Sequence, residues 1–395
     1  MTGPAAGHPA VAADQSAGGE SRADSPAAGP TMPAGEVLRR AVSAGQIPGA
    51  VFAAGGPGRP AEVVVAGDAQ VTGGPRRAME RGTLFDLASL TKVVATLPAV
   101  LRLADRGELE LDDRAARFLP GFRGGGRESV TVRQLLAHTS GLPAELPFWR
   151  TCRDPAQARR ALLTTALLHP PGRHVAYSDL GFMLLGHIVA AIADAPPDAA
   201  VAELVTGPLA MTKTGFIPNA ASGGAAATEP QPDGTALAAV VHDENARFLG
   251  GVAGHAGLFA PVDDLVRYLE LAWLSGDYLS PAARLEAGRL QTEGLGGRRG
   301  LGWMLRGDPA DFLGTRWPAS SLSHTGFTGT SLACDPVSGH WAVLLTNDVH
   351  FGRNRNVIRP LRESVHTACA PRAGRGAERE AERGRRRLDR GPRPP

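Results

Sequence analysis

Ser89 and Lys92 are the residues whose types and spacing most directly suggest chemistry in this chain. If a helix begins near Ser89, a spacing of three places the serine hydroxyl and the lysine amine on one face, about one turn apart. Lysines are rare here, because Lys and Arg total 42 and only Lys92 and Lys213 are lysines. A partly buried lysine can be tuned toward neutrality, whereas an arginine keeps its proton. We therefore interpret the pair as a nucleophile and its base rather than a serine beside an ordinary surface lysine.

Tyr177 is the second candidate for proton transfer. It stands in the loop sequence Tyr177-Ser178-Asp179, in a chain with three tyrosines. A phenol beside a lysine can pass protons between a nucleophile and a leaving group. The alternative is a tyrosine that anchors the loop by packing.

A third stretch, His324-Thr325-Gly326 followed by Phe327, lies on a predicted strand. Glycine lets a substrate approach the backbone, and a strand edge can offer its amides to an acyl group. The amides of Ser89 and of a residue near Phe327 could together form an oxyanion hole.

Other polar residues receive plainer interpretations. We expect His138 to be a buried histidine that ties down its turn, and His255 either to line the cleft or to pack in a glycine-rich loop. The cluster His242, Asp243 and Glu244 lacks a further ligand pair, so a polar rim is preferred to a metal site. We expect no metal and no cofactor.

Elements at both ends of the chain must position these residues. Two β-rich runs, 50–54 and 62–66, predict a hairpin ahead of Ser89, and the apolar spacing after Lys92 predicts a helix kinked at Pro98. Helices are expected over 155–168 and 180–193, and strands return near 323–347. The resulting organisation has a disordered leader (1–33), a catalytic domain (34–370) and a disordered Arg-rich tail (371–395). Within the catalytic domain we expect a sheet part (about 34–105 and 248–370) and a helical lobe (about 106–247).

Bulk composition limits the partners. The formal charge is +3, yet nine arginines and four acidic residues place +5 in the segment 371–395, so the rest nets about −2. The body is therefore not a basic nucleic-acid binder. We expect a soluble cytoplasmic protein that acts on a small molecule. The three cysteines are scattered, the N-terminus does not resemble a signal peptide, and no apolar run is long enough to span a bilayer. The oligomeric state stays open.

These motifs, together with V-T-V-R-Q-L-L-A-H-T-S-G-L-P over 130–143, resemble the serine β-lactamase and penicillin-binding-protein family. The branch is the one with class C β-lactamases, D-aminopeptidases, family VIII carboxylesterases and acyl-transferring relatives. The resemblance covers roughly 34–370. It implies an α/β (α+β) fold of the β-lactamase/transpeptidase type: an antiparallel sheet flanked by helices, with an inserted all-helical lobe.

By this resemblance Ser89 forms an acyl-enzyme, Lys92 and Tyr177 act as the base and acid pair, and His324 replaces the lysine of Lys-Thr-Gly. Asp179 replaces the asparagine of Tyr-x-Asn. A histidine with a pKa near 6.5 is a weak partner for the carboxylate that β-lactams carry. Both departures favour a neutral ester or amide over penicillin.

Three functions follow as expectations. The first is a serine hydrolase of esters or amides. The second is an acyltransferase that passes the acyl group to an amine or alcohol in specialised metabolism, and the third is a catalytically silent binding module of the same fold. An α/β-hydrolase is disfavoured because the chain lacks G-x-S-x-G.

Overall fold

A computed structural model of the chain describes residues 32–216, 224–274, 276–353 and 355–371. The predicted leader and Arg-rich tail lie outside these residues, apart from residues 32, 33 and 371. Within the described part the chain forms ten strands, β1 (Gly49–Gly56), β2 (Arg59–Gln70), β3 (Arg77–Ala78), β4 (Phe85–Asp86), β5 (Gly215–Phe216), β6 (Leu258–Ala260), β7 (Met304–Leu305), β8 (Leu322–Thr325), β9 (Ser331–Asp335) and β10 (His340–Thr346).

The described residues also form twelve α-helices. They are α1 (Ala34–Ser43), α2 (Leu97–Asp105), α3 (Ala115–Phe118), α4 (Val132–Leu136), α5 (Phe148–Thr151), α6 (Pro155–Thr164), α7 (Asp179–Ala193), α8 (Pro197–Val201), α9 (Glu244–Phe248), α10 (Val262–Tyr268), α11 (Pro281–Gly288) and α12 (Ile358–Cys369). Three π-helical segments adjoin them, Lys92–Thr96, Ala202–Thr206 and Leu269–Leu274.

The main sheet is antiparallel and has seven strands in the order β3-β2-β1-β10-β9-β8-β7. The hairpin predicted from the two N-terminal runs is confirmed as β1 and β2. Strand β1 also pairs with β10, with Val51 opposite Leu345, so the two ends of the domain meet in one sheet. The predicted antiparallel sheet flanked by helices is therefore confirmed.

Alternation along β1 gives the sheet two buried faces, because successive side chains of a strand point to opposite sides. Phe52 packs with Leu38 of α1 and Val365 of α12 on one face. Val51 packs on the other face, in the larger core that includes α2, α7 and α10. Both faces of the sheet are therefore packed against helices.

The helix α7 packs in this larger core and directly follows the loop that contains Tyr177. Its N-cap is Ser178, whose hydroxyl accepts a hydrogen bond from Gly181 N, and Asp179 supplies an acidic first turn. The helix predicted over 180–193 is confirmed, starting one residue earlier. In the described part of the chain no single helix is long and apolar enough to cross a membrane, although the bent pair of Asp179–Ala193 and Pro197–Thr206 together meets that length and composition.

A second sheet of three short strands, in the order β4-β6-β5, leads the chain into Ser89. The helix predicted after Lys92 is present, but its first part is the π-helical segment Lys92–Thr96, which continues directly into α2. A 3₁₀ turn, Ala88–Leu90, precedes both. Pro98 lies at the start of α2 and has no amide hydrogen to donate. In the wider π-turn before it, Leu97 N donates to Lys92 O. The kink at Pro98 stays a prediction.

Residues 106–247, predicted as a helical lobe, contain helices α3 to α8 and the start of α9, but also β5 of the small sheet. The bounds of that lobe stay a prediction.

Candidate active site

The turn that presents Ser89 is held by a buried carboxylate. Ala88 has a positive φ of 45°, a conformation that side chains with a Cβ rarely adopt. Asp86 accepts a hydrogen bond from Ala88 N at 2.8 Å through Oδ1 and one from His242 N at 2.7 Å through Oδ2. Burial raises the pKa of Asp86, although these two amide donors oppose the rise. The nucleophile therefore follows a strained residue that the surrounding structure holds in place.

Lys92 lies at the centre of the site and is completely buried. Its Nζ donates to Ser89 Oγ at 2.9 Å and to the carbonyl of His255 at 3.2 Å, and it forms an ion pair with Asp179 Oδ1 at 2.7 Å. Tyr177 also lies beside Lys92, with Nζ 5.0 Å from the centre of the tyrosine ring. The predicted convergence of Ser89, Lys92 and Tyr177 is present.

The charge of Lys92 differs from the expectation of a lysine tuned toward neutrality. Burial lowers its pKa, but Asp179 and Tyr177 outweigh that effect and raise the pKa above its ordinary value. Lys92 is therefore an ammonium ion at neutral pH, and its carboxylate partner is the residue that departs from the Tyr-x-Asn pattern.

His138 fixes the loop that carries Tyr177. Its Nδ1 accepts a hydrogen bond from Ser178 N at 3.0 Å, its ring lies 4.6 Å from that of Tyr177, and its carbonyl accepts from Ala176 N at 2.9 Å. Because burial, with Arg299 and Lys92 nearby, lowers its pKa well below the usual range, His138 is neutral. It is buried and holds its turn, as expected, and the turn that it holds positions Tyr177.

The segment from His324 to Thr330 packs directly against the Ser89 turn. Thr328 Oγ1 donates to Asp86 O at 2.7 Å, and Thr330 Oγ1 donates to Leu87 O at 3.3 Å. On its other side the buried Arg362 donates to the carbonyls of Gly326 and Thr330, at 2.7 and 2.8 Å. These contacts join the two halves of the site.

The strand predicted to carry His324 through Phe327 ends early. His324 and Thr325 lie at the end of β8, but Gly326 and Phe327 lie in the turn to β9, which Gly326 N closes by donating to Thr330 O at 2.8 Å. Strand β7 pairs only with Leu322 and Ser323, so within the described residues no strand pairs with the rest of this edge of β8. An extended acyl chain could pair there.

His324 is buried, and its Nδ1 lies 2.9 Å from Thr325 O. Burial, followed by the charges of Lys92 and Arg299, lowers the pKa of His324 well below its usual range. The residue that stands at the Lys-Thr-Gly position is consequently a neutral imidazole.

Two backbone amides are available for an oxyanion. Within the described residues, neither Ser89 N nor Phe327 N donates to another protein group. The Phe327 side chain is 54% exposed and stacks on His242 at 5.6 Å, with Arg353 at 5.7 Å on the ring. The arrangement is compatible with the predicted oxyanion hole and places Phe327 at the rim.

The three consecutive polar residues 242–244 diverge. His242 lies 3.2 Å from Glu229, Asp243 lies 3.0 Å from His255, and Glu244 pairs with Arg353. A different group, Asp179, Asp243 and His255, places one possible metal ligand atom each within 4.8 Å of one another. Since the Lys92 ammonium already contacts Asp179 and the carbonyl of His255, we assign this group to stabilising Lys92.

Sequence reasoning missed Asp86, Thr328 and Arg362. The only signal for Asp86 was its position two residues ahead of a turn, where an aspartate can accept from the backbone. Nothing local marks Arg362, which lies 36 residues from the carbonyl of Gly326 that it contacts.

Comparisons with known proteins agree with this geometry. A model of the Beta-lactamase family matches residues 34–367. An Escherichia coli (strain K12) protein named "Putative D-alanyl-D-alanine carboxypeptidase" is 32% identical over 308 residues, which cover 68% of this chain and 70% of that protein.

Among solved structures, EstCE1, described as a hydrolase with promiscuous acyltransferase activity, superposes with a TM-score of 0.67 at 25% identity and covers 84% of this chain and 97% of its own. A class C β-lactamase from Rhodobacter sphaeroides shares the fold, with a TM-score of 0.66 at 20% identity over 85% of this chain and 97% of its own. The resemblance stated from the motifs and the β-lactamase/transpeptidase fold are thereby confirmed, and the chain belongs to the Beta-lactamase family.

Proposed function

We propose that this protein is a serine hydrolase that cleaves an ester or amide bond through a covalent acyl-enzyme on Ser89. The observation that carries the proposal is the 2.9 Å hydrogen bond between Lys92 Nζ and Ser89 Oγ, inside a site where Lys92 is fully buried. Burying a charged lysine costs free energy, so the contact of Lys92 with the partly exposed Ser89 indicates a chemical role for that serine.

The reaction uses the groups already in place. Ser89 Oγ attacks the carbonyl carbon as its proton passes into the group of side chains in contact with Lys92, which includes Tyr177 and Asp179. The amides of Ser89 and Phe327 donate to the developing oxyanion. The same group then protonates the leaving oxygen or nitrogen, and water releases the acyl group by the reverse sequence.

The charges of the site favour a neutral acyl donor. His324 is neutral, and three cations act on it. Lys92 is paired with Asp179 at 2.7 Å and Arg299 with Asp308 at 3.2 Å, while Arg362 donates to two backbone carbonyls. A substrate carboxylate would have to compete with these protein carboxylates for its partner. We therefore expect esters and amides without an adjacent carboxylate to react faster than penicillins or peptides with a free C-terminal D-alanine.

An acyltransferase is the second candidate, favoured by the likeness to EstCE1. It shares the acyl-enzyme and differs only in the acceptor, an amine or alcohol in place of water. Product analysis with and without primary amines and alcohols separates the two, because a transferase yields the new amide or ester at the expense of the free acid.

The test of the acyl-enzyme is Ser89→Ala, with the exposed serine of α12, Ser364→Ala, as the matched control. The panel contains short-chain nitrophenyl esters, D-amino-acid amides, D-alanyl-D-alanine peptides and a chromogenic cephalosporin. We expect the wild type and Ser364→Ala to hydrolyse neutral substrates and to be labelled by a fluorophosphonate, and Ser89→Ala to do neither.

Turnover that survives in Ser89→Ala would refute the assignment of the nucleophile. A wild-type protein that binds but neither turns over nor is labelled would instead support the silent binding module. Preferred cleavage of the cephalosporin or of the free C-terminal D-alanine would contradict the charge argument.

A further inference from the structure

Lys92 Nζ contacts both the hydroxyl of Ser89 and the carboxylate of Asp179. Ser89 Oγ is 2.9 Å away and Asp179 Oδ1 is 2.7 Å away, while the carbonyl of His255 occupies a third direction at 3.2 Å. Since Lys92 is completely buried, water does not reach the ammonium to take its proton. The proton has to leave through one of the groups in contact.

An ammonium ion has no free electron pair, so Lys92 as it stands cannot accept the proton of Ser89. The charge on Lys92 is maintained by its neighbours, because Asp179 and Tyr177 raise its pKa against the lowering effect of burial. The group that keeps Lys92 charged must therefore take a proton before, or as, Lys92 takes one from the serine.

We propose that Asp179 is the terminal proton acceptor for Ser89, with Lys92 as the relay between them. This inference rests on the proposed acyl-enzyme mechanism. It gives a function to the aspartate that replaces the asparagine of the Tyr-x-Asn pattern, since an amide cannot accept this proton at neutral pH.

The step balances. The Oγ–H bond of Ser89 breaks as an H–Nζ bond forms on Lys92, and an Nζ–H bond of Lys92 breaks as an H–Oδ1 bond forms on Asp179. The Oγ electron pair forms the bond to the carbonyl carbon, whose π electrons move to the oxyanion. Lys92 stays cationic, Asp179 becomes neutral, and the negative charge moves from the carboxylate to the oxyanion. When the intermediate collapses, the proton returns from Asp179 through Lys92 to the leaving group.

The position of Asp179 suits a base that must be ready to accept. It is the first residue of α7, its backbone N donates to Ala144 O at 2.8 Å, and Ser178 caps the helix beside it. The N-terminus of a 15-residue helix stabilises a nearby negative charge, which suits the ion pair that Asp179 forms with Lys92.

Two other carboxylates face this pair and suit the role less well. Asp243 acts on Lys92 through its charge, but it bonds to His255 at 3.0 Å and to the amide of Ala246, and these partners hold its pKa far below the usual range despite burial. Glu145 has its pKa raised by burial and by the nearby carboxylates, among them Asp179, and no contact joins it to Lys92.

The remaining titratable and charged groups that face the pair are fixed in other roles. Tyr177 lies beside Lys92, with Nζ 5.0 Å from the centre of its ring, and passes to the leaving group the proton that Lys92 returns. His138 and His324 are neutral, with ring centres 4.6 and 6.0 Å from that of Tyr177, and Arg299 is held by Asp308. Direct contact with Lys92, at 2.7 Å from Nζ to Oδ1, singles out Asp179 among these carboxylates.

The experiment compares the wild type, Asp179→Asn and Asp179→Glu by the pH dependence of kcat/KM on a neutral nitrophenyl ester. We expect Asp179→Asn to lower kcat/KM at pH 7 by about 10²-fold or more, as for loss of a general base. The acid limb of the kcat/KM profile of Asp179→Asn should move to higher pH, because in this variant Lys92 itself must lose a proton before it can accept one from Ser89. Asp179→Glu should recover at least about tenfold over Asp179→Asn, because it restores a carboxylate.

A wild-type proton inventory in H₂O and D₂O mixtures keeps the proposal testable if a variant fails to fold. A curved dependence on deuterium content, from two protons in flight, supports the relay, and a linear dependence overturns it. An unchanged pH profile in a folded Asp179→Asn, or no recovery in a folded Asp179→Glu, overturns it as well. If Ser89→Ala retains turnover, the proposed function fails; if only these Asp179 results fail, the acyl-enzyme stands and the relay alone is wrong.

Discussion

Gly326 offers the sharpest test of how the two halves of the site are joined. A Cβ added there would lie within 3.0 Å of Thr330 Oγ1 and of the backbone oxygen of Leu87, closer than Cβ atoms pack in proteins. The threonine hydroxyl can rotate away. The Leu87 carbonyl cannot, because it accepts from Leu90 N at 3.0 Å while Leu87 N donates to Leu258 O at 2.9 Å. Gly326→Ala must therefore separate the β8–β9 turn from the Ser89 turn.

The size of the effect follows from this geometry. Ordinary contact begins near 3.4 Å, so the turns must move apart by roughly 1 Å. Overpacking of this kind costs about 1–3 kcal/mol of the free energy of unfolding. A displacement of about 1 Å between the Ser89 and Phe327 amides is expected to lower kcat/KM by about 10²-fold.

The assay measures kcat/KM on a neutral ester, the rate of fluorophosphonate labelling and the midpoint of thermal unfolding. Gly82→Ala is the matched control, because a Cβ at Gly82 meets nothing within 4 Å. We expect Gly326→Ala to label and turn over slowly while losing only part of its stability, and Gly82→Ala to behave as the wild type. If the kcat/KM of Gly326→Ala stays within twofold of the wild type, the turns are not rigidly joined and the reasoning fails.

Two further predictions concern stability. Arg362→Met removes the donors to the carbonyls of Gly326 and Thr330 and should lower the free energy of unfolding by about 2–5 kcal/mol, with a loss of activity. Arg362→Lys should recover part of both. Equal urea midpoints for the wild type and Arg362→Met would contradict this prediction. Burial, and then the charge of Arg362, lowers the pKa of His366 to about 3. The neutral imidazole therefore contributes its full stability above the ordinary histidine pKa of 6.5, and this contribution is lost as the pH falls from 6.5 toward 3. His366→Gln should therefore reduce the slope of unfolding free energy between pH 7 and 5 by up to about 1 kcal/mol per pH unit, and equal slopes would contradict the assignment.

The features that the sequence predicted well are those with a local cause. A spacing of three brought Ser89 and Lys92 together, two β-rich runs marked the β1–β2 hairpin, and an apolar run marked α7. Each of these depends on residues that are neighbours in the chain.

The features that escaped depend on distant contacts. Lys92 was expected to be tuned toward neutrality, and its charge is set instead by Asp179, which is 87 positions away. Asp86 and Arg362 hold backbone groups whose need for a partner exists only once the loops have packed. Local spacing can propose a proton-transfer pair, but the direction in which the proton moves is a tertiary property.

His324 shows the same limit with a consequence for specificity. As an isolated residue it should change charge near pH 6.5, which would make recognition of a carboxylate depend on pH. In the fold its ring is buried beside Lys92 and Arg299, and it stays neutral through the physiological range. The preference for a neutral acyl donor should therefore be the same at pH 6 and at pH 8. A site that relied on a titrating histidine would instead gain affinity for carboxylates at the lower pH.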